Sequence, residues 1–554
     1  MAGKSGLRFG ILCNSMQFQQ WQAEIIRTLI SNGHHPALII MGDEKLSDQP
    51  PGSRLRNYPW KNMLYRLHQR YIFNPTMKQE TDMRRELEKV PVQICKIRKV
   101  DFSEFFYEED VAFIESRNLD FLLRFGFNII RGGILNAAKF GVWSFHHGDE
   151  KKYRGGPPCF WEIYRNDKST GAILQRLNEK LDAGIILRKG WFGTINHSYT
   201  ENLNRVYAGS IPWVLQVCKD IEQGNSGYLE GPGSSTRAPV YRIPGNLKML
   251  WFLLKLLGNR IAYHARNLLL AEVWNIGLID APLEKVAFNW NVYKKKVRWL
   301  PQPRGSKYQA DPFAYNLGDV NRLVFESYDY KKMAAHLEQI SLEETKLFNN
   351  RVEVLNTGSH LSFPYLFEHE TEVYCIPESS ASGRTSLYRL DCSETHFEKV
   401  CDILQHPLID PAIIRWGGYW WLFGSKAGYP SENLYIYYAE NINGPYSGHE
   451  NNPVKTNVRS ARSAGKLFIS GDTLYRPAQN CSKTYGGSII INQILKLNTR
   501  QFAEQEVLEL LPANHWEFKK GMHTISGTNK ITLIDAKKYC FIPLATWKKL
   551  TRKF

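Results

Sequence analysis

Two stretches of this chain place polar side chains at spacings that suit chemistry. The first runs from Ser144-Phe145-His146-His147-Gly148-Asp149 through Tyr153-Arg154-Gly155-Gly156 to Leu181-Asp182-Ala183-Gly184. The apolar run Gly141 to Phe145 reads as a strand. Ser144 and His146, two apart, therefore leave one face toward one pocket, and His147 leaves the other. Asp182 sits in an Asp-Ala-Gly turn, where a tight bend can push a carboxylate inward. A histidine and a carboxylate at one pocket can hold and move a proton. The second stretch, from Trp274 onward, carries Asp311, His360, Asp410, Arg462 and His523, with Glu326, Glu378, Arg476 and Gln479 on neighbouring apolar runs. Carboxylates in pairs can flank a glycosidic bond. They can equally hold a sugar without cutting it, or close a turn, since Asp-Pro at a strand start is a turn device.

The elements that must position these residues differ between the halves. From Leu7 to about Gly224, strands alternate with helices: Phe9 to Cys13, a helical spacing from Trp21 to Ile30, Pro36 to Met41 and Val92 to Ile97. A helix near Glu108 to Arg117, a strand Leu119 to Phe125, a helix near Gly133 to Lys139 and a strand Gly141 to Phe145 follow. The pattern predicts βαβ units and a Rossmann-like, mostly parallel sheet. Gly231-Pro232-Gly233-Ser234-Ser235-Thr236 has linker composition. A helical segment from about Leu247 to Glu272 mixes Leu, Trp and Phe with Lys248, Lys255, Arg260 and Arg266. It is either an interdomain helix or a basic amphipathic segment on an anionic membrane.

After Trp274 the pattern turns to short strands that repeat, anchored at Pro312, Pro364, Pro411, Gly465 and His523. Each anchor precedes a second strand: Arg322 to Glu326, Glu372 to Glu378, Tyr419 to Ser425, Thr473 to Gln479 and Lys530 to Asp535. Five strand-turn-strand units predict an all-β five-bladed propeller; a two-sheet sandwich is the alternative. The expected division is residues 1–224, a linker and amphipathic segment at 225–273, and a propeller at 274–554.

Composition narrows the class. The 554 residues are 43% hydrophobic and 23% charged, which excludes a disordered or collagen-like chain. The net charge of +17 favours acidic partners: nucleic acid, anionic membranes, or phosphorylated and acidic glycans. Nine cysteines without a CxxC pair argue against a zinc knuckle or disulfide framework, and no metal is expected. There is no Walker A, GxGxxG, HExxH, GxSxG or EF-hand string. No HTH or RNP string accompanies the basic runs, so nucleic acid is not expected as a partner. The longest uninterrupted apolar run in the helical segment, Met249 to Leu254, is far too short to span a bilayer. A cytoplasmic protein is expected, peripheral at the inner membrane face if the helical segment lies on lipid.

The motifs from Gly141 to Leu187 resemble those of the formyl-tetrahydrofolate-dependent transferases, above all methionyl-tRNA formyltransferase and the sugar N-formyltransferases. The resemblance covers roughly residues 5 to 220. It implies that His146 stabilises the oxyanion of a tetrahedral intermediate, that Asp182 orients His146 and helps take a proton from the amine, and that Ser144 stands where the family has Asn. It also implies 10-formyltetrahydrofolate as cofactor, with Phe125, Gly126, Arg154 and Gly155 in its site. The family's Ser-Leu-Leu-Pro loop is replaced by Gly148-Asp149-Glu150-Lys151. The second half, about Trp274 to Phe541, looks like the N-terminal domain of plant glucosamine inositolphosphorylceramide transferases. The strings are Ala310-Asp311-Pro312-Phe313, His360-Leu361-Ser362-Phe363-Pro364 and Arg476-Pro477-Ala478-Gln479. It is similar in layout to the five-bladed glycoside hydrolases of arabinans and xylans, which implies a channel lined by Asp311, Glu326, His360, Glu378, Asp410, Arg476, Gln479 and His523.

Together these readings predict a transferase that formylates or otherwise acylates an amino sugar, nucleotide- or lipid-linked, in glycan or lipopolysaccharide-type assembly, with the propeller binding the glycan. The alternatives are a propeller glycosidase or carbohydrate-binding protein with an inactive formyltransferase-like domain, and, disfavoured, a methionyl-tRNA formyltransferase.

Overall fold

The computed structural model describes residues 6–43, 60–100, 102–180, 183–317, 320–342 and 351–551. The chain packs as two compact units, Met1–Ile261 and Ala262–Phe554.

In the first unit, alternating apolar segments build a seven-stranded sheet. Its strands are β1 (Arg8–Cys13), β2 (His35–Gly42), β3 (Val92–Cys95), β4 (Phe121–Arg124), β5 (Val142–His146), β6 (Ser169–Arg176) and β7 (Ile185–Gly193), in the spatial order β7-β6-β5-β4-β1-β2-β3. The pairs from β3 through β5 are parallel, as the βαβ pattern predicts, and β6 and β7 add two antiparallel pairs at the edge. Helix α1 (Gln20–Ser31) buries Trp21, Ile25, Ile26 and Leu29, one apolar face at helical spacing. On the sheet, Phe121 stacks between Phe9 and Trp143, at ring separations of 5.5 and 4.0 Å. The helix expected near Gly133 to Lys139 is only the 3-10 turn Gly133–Asn136. Left-handed glycines bracket it, Gly132 at φ 80 and Gly141 at φ 71, and cut the segment too short for an α-helix.

Helix α2 (Asn246–Leu269) seats Met249 and Phe252 in the core of this unit, with Phe252 stacked on Phe160 at 4.1 Å. The boundary between the units falls within this helix.

Among the described residues, the second unit forms five antiparallel sheets. Four are formed by consecutive segments and begin with Lys307–Leu317, Ser362–His369, Ile409–Trp416 and Phe468–Ser470. The remaining sheet joins Arg298–Trp299 and Ala271–Ile279 to Thr532–Cys540 and Ile525–Gly527, strands far apart in sequence. Three sheets share one irregularity. Pairing slips between Ala310 and Phe313, between Ser362 and Tyr365, and between Ile409 and Ala412. Within each slip a residue preceding proline adopts a left-handed backbone: Asp311 at φ 49, Phe363 at φ 46 and Asp410 at φ 48. These are β-bulges, so the Asp-Pro strings mark a re-aimed strand rather than a turn. A left-handed backbone at a non-glycine residue costs on the order of 1–3 kcal/mol and recurs at functional sites.

Candidate functional site

In the first unit, β5 presents Ser144 and His146 on one face. Ser144 is buried, and its hydroxyl accepts from Arg124 Nη1 at 2.9 Å. His146 Nε2 lies 2.8 Å from the Tyr153 carbonyl. A carbonyl only accepts, so Nε2 carries the proton and the neutral ring leaves Nδ1 as an acceptor. Gly148 permits this geometry, since a Cβ there would sit 2.8 Å from His146 Nε2. His147 points the other way, stacked on Tyr207 at 4.0 Å, and burial together with the neighbouring His146 pushes its pKa down to about 3. It is a neutral core residue. Asp182 lies outside the described residues.

The loop that is charged in this chain closes on itself. Lys189 on β7 lies 2.8 Å from both Asp149 and Glu150. Burial raises the Asp149 pKa, but Lys189 outweighs it and holds the carboxyl below its usual range. These three line a cavity of about 620 Å³ with Trp191 and Tyr228. Spacing alone gave no sign of Lys189, which pairing of β6 with β7 brings to the loop. Nor did it single out Glu162, wholly buried on the helix Phe160–Arg165, whose pKa is pushed up to about 8 chiefly by burial.

The four residues assigned to the folate cofactor lie against backbone and rings of their own unit. A Cβ at Gly126 would meet Asn14 Oδ1 at 2.5 Å, and one at Gly155 would meet the Tyr241 carbonyl at 2.4 Å, so both glycines serve close backbone approach. Phe125 packs edge-on against Trp21 at 5.5 Å, and Arg154 pairs along the backbone with Val240.

In the second unit the assigned residues converge. Asp311, Glu326, His360, Glu378, Asp410 and His523 line one cavity of about 1400 Å³, joined by Arg462 and the aromatic rings of Trp274, Tyr308, Tyr328 and Tyr485. The sheets place them by register. Glu326 pairs opposite Ala310 and Glu378 opposite Ser362, each one residue before a bulge. Backbone hydrogen bonds put Gln479 beside Arg462 and Asp535 beside Thr524 in the equivalent place.

The bulged residues then tie one sheet to the next. The Asp311 N–H donates to Asp535 at 2.9 Å, and the Phe363 N–H donates to Asp311 Oδ2 at 3.2 Å. The Asp410 N–H donates to Glu378 Oε2 at 3.1 Å. Asp410 accepts from Arg462 Nε and Gln479 Nε2, both at 2.6 Å. Finally Gly465 bridges Ile525, joining the sheet of Thr473–Asn480 to that of Ile525–Gly527.

The electrostatics favour protons in this cavity. Burial, with Asp535 and Asp410 nearby, raises Asp311 to about 6 although His523 opposes it. Burial and the adjacent Asp410 raise Glu378 to about 8. Glu326 is raised as well, by burial and then by Asp311 and Glu378. Burial pulls His523 down, but Asp535 and Asp311 more than offset it, and the net shift is upward. His360 is lowered by burial. Asp311, His523 and Asp535 bring ligand-type atoms within 4.8 Å of one another. His523 Nδ1 lies 2.7 Å from Asp535 Oδ2, a hydrogen-bonded ion pair.

Two assignments are corrected. Gln479 does not line the cavity but supports Asp410 from behind. Arg476 lies three positions from Gln479 on the same strand, an odd number, so it faces away. Its buried guanidinium pairs with Glu504 at 2.6 Å and binds the Ser460 and Ala461 carbonyls. Asp535, Trp274 and Tyr485 were missed. The sequence signal for Asp535 was its place on the strand after the His523 anchor, where Glu326 and Glu378 stand in their own repeats.

Residues 301–540 match the family described as glucosamine inositolphosphorylceramide transferase 1, N-terminal. The glucosamine inositolphosphorylceramide transferase 1 of Oryza sativa subsp. japonica is 34% identical over 233 residues, 40% of this chain and 30% of the relative. A methionyl-tRNA formyltransferase of Prochlorococcus marinus subsp. pastoris is 28% identical over 125 residues, 22% of this chain and 38% of the relative. Among solved structures, the family 117 glycoside hydrolase Zg3597 of Zobellia galactanivorans aligns at 12% identity and a TM-score of 0.31, over 43% of this chain and 88% of its own. This chain thus spans about a third of the length of these curated relatives. Its N-terminal region is similar to formyltransferases, and residues 301–540 are similar to the N-terminal part of a glucosamine inositolphosphorylceramide transferase.

Proposed function

We propose that this chain is a transferase of glycan assembly. The first unit passes a formyl or related acyl group to the amine of a sugar. The second, arranged as a five-bladed propeller, binds the glycan. The observation that carries the reading is the cavity of the second unit, where Asp311, Glu326, Glu378 and Asp410 meet Trp274 and Tyr485. Carboxyl groups offer hydrogen bonds to sugar hydroxyls, and aromatic rings offer flat apolar faces to sugar rings. The propeller reading draws on the hydrogen bonds that run from each sheet to the next and on the sheet shared by Ala271–Ile279 and Thr532–Cys540.

In the first unit, His146 takes a proton from the attacking amine at Nδ1, the position left free by the Tyr153 contact. The imidazolium so formed would stabilise the oxyanion and, as the carbonyl re-forms and the bond to the donor breaks, would return its proton to the departing donor group. The test is to incubate the full chain with amino-sugar nucleotides and 10-formyltetrahydrofolate, and to follow the acceptor's mass. Formylated sugar that disappears in His146→Ala supports the reading. Formylation of methionyl-tRNA in its place, the substrate named by the N-terminal relatives, would replace it.

A second reading, a glycosidase or carbohydrate-binding propeller with a silent first unit, is favoured by Glu378, raised to about 8 and so able to donate a proton near neutrality. Oligosaccharide cleavage that Asp311→Asn abolishes would establish the glycosidase.

A further inference from the structure

Helix α2 is covered on one side only. Met249 and Phe252 are buried, while Lys255 Nζ reaches the Tyr164 carbonyl and Asn259 donates to the Asn196 carbonyl. On the opposite side Leu247, Leu250, Trp251, Leu254, Leu257 and Ile261 are all exposed, Leu247 at 85% and Trp251 at 57%. Their spacing of three and four puts them on one stripe within the first unit. Gly258 lies on the same stripe, and a Cβ there would meet nothing within 4 Å. A continuous exposed apolar stripe marks an interaction surface.

Charge says what covers it. The helix carries Lys248, Lys255, Arg260 and Arg266 and not one Asp or Glu over its 24 residues. Lys248 and Arg260 are exposed beside the stripe, while the Lys255 ammonium is held by the Tyr164 carbonyl. An apolar stripe bordered by cations, with a tryptophan between, matches the boundary of an anionic bilayer: acyl chains receive the stripe and headgroups receive Lys248 and Arg260. No described helix is long and apolar enough to cross a membrane, so the fit is to a helix lying in the surface.

We infer that α2 docks the first unit onto an anionic lipid surface through Leu247, Trp251, Leu254 and their neighbours. This inference is independent of the transfer chemistry.

The test uses the full chain with vesicles of phosphatidylcholine and phosphatidylglycerol, and with phosphatidylcholine alone. The chain should sediment with the anionic vesicles at low salt and be released as salt screens the headgroups. Trp251→Glu with Leu254→Glu should weaken binding at least about tenfold without changing the melting temperature, because both positions are exposed. Lys248→Gln with Arg260→Gln should weaken it by about fivefold per cation removed. No sedimentation with anionic vesicles, or equal sedimentation by the double glutamate variant, overturns the inference. A wild-type dimer in analytical ultracentrifugation that the glutamate variant dissolves would assign the stripe to a second copy of the chain and overturn it as well.

Discussion

His523 and Asp535 form a buried ion pair, Nδ1 to Oδ2 at 2.7 Å, between a strand anchor and the strand that follows it. The imidazole also lies flat against Trp274 at 3.8 Å. The raised pKa of His523 means the folded state holds its proton more tightly than the unfolded chain does. Its stabilisation is full below the unfolded value of 6.5 and fades as pH climbs through the raised folded value. Asp311, raised to about 6, and Glu378, raised to about 8, act in the same direction, because ionising them in the folded state costs more than in water. The second unit should therefore lose stability between about pH 4 and 8. His147, lowered to about 3, opposes this in the first unit, so the slope is read as a difference between variants. His523→Gln should flatten the fall in melting temperature; an unchanged slope would remove His523 from the account.

Arg476 is predicted to matter for stability and not for ligand. Its guanidinium and Glu504 are both buried, and Lys455 lies 2.7 Å from Glu504. Arg476→Ala strands a buried carboxylate and should cost about 3–5 kcal/mol in denaturant unfolding. Arg476→Met with Glu504→Leu and Lys455→Met, which removes all three charges together, should recover much of that. Glycan retention by the folded fraction should be unchanged in both.

Gly148 is predicted to guard the His146 ring. A methyl group there would lie 2.8 Å from Nε2, displacing the imidazole from the Tyr153 carbonyl. Gly148→Ala should lower transfer with little change in melting. His146→Ala should lower it by roughly 10²–10³, the cost of removing an oxyanion-type donor. Transfer at the wild-type rate in both would take His146 out of the chemistry.

Gly465 is predicted to be intolerant of any side chain. At φ 114, with a Cβ only 1.9 Å from the Ile525 carbonyl, alanine must break the bridge between two sheets. The loss should exceed the roughly 0.5–3 kcal/mol of an ordinary substitution. Circular dichroism on Gly465→Ala should show an early, partial transition of β structure.

The halves differed in how openly the sequence displayed them. Apolar runs located β1, β2 and β5, and helical spacing located α1, within a residue or two. The strands Glu372–Glu378 and Tyr419–Ser425 were bounded correctly because each is an apolar run buried almost throughout. The bulges at Asp311, Phe363 and Asp410 were not legible, since Asp-Pro suits a turn as well as a re-aimed strand. Arg476 was misplaced because a polar residue on an apolar strand looks alike on either face until its register is known. Lys189 acts through a pairing between separate strands, and spacing along the chain holds no trace of it, whereas Asp535 stands at a repeat position that the spacing did display.

The pairing of Ala271–Ile279 with Thr532–Cys540 has a consequence for synthesis. A ribosome releases the first of these strands long before the second exists. Until Thr532–Cys540 emerges, Ala271–Ile279 has no neighbour on that edge, and Trp274 has no His523 to lie against. The first unit can fold while translation continues, but the second must wait, with its strand edges open to wrong partners and to chaperones. A nascent chain arrested before residue 532 should accordingly be protease-resistant in its first unit and sensitive in its second.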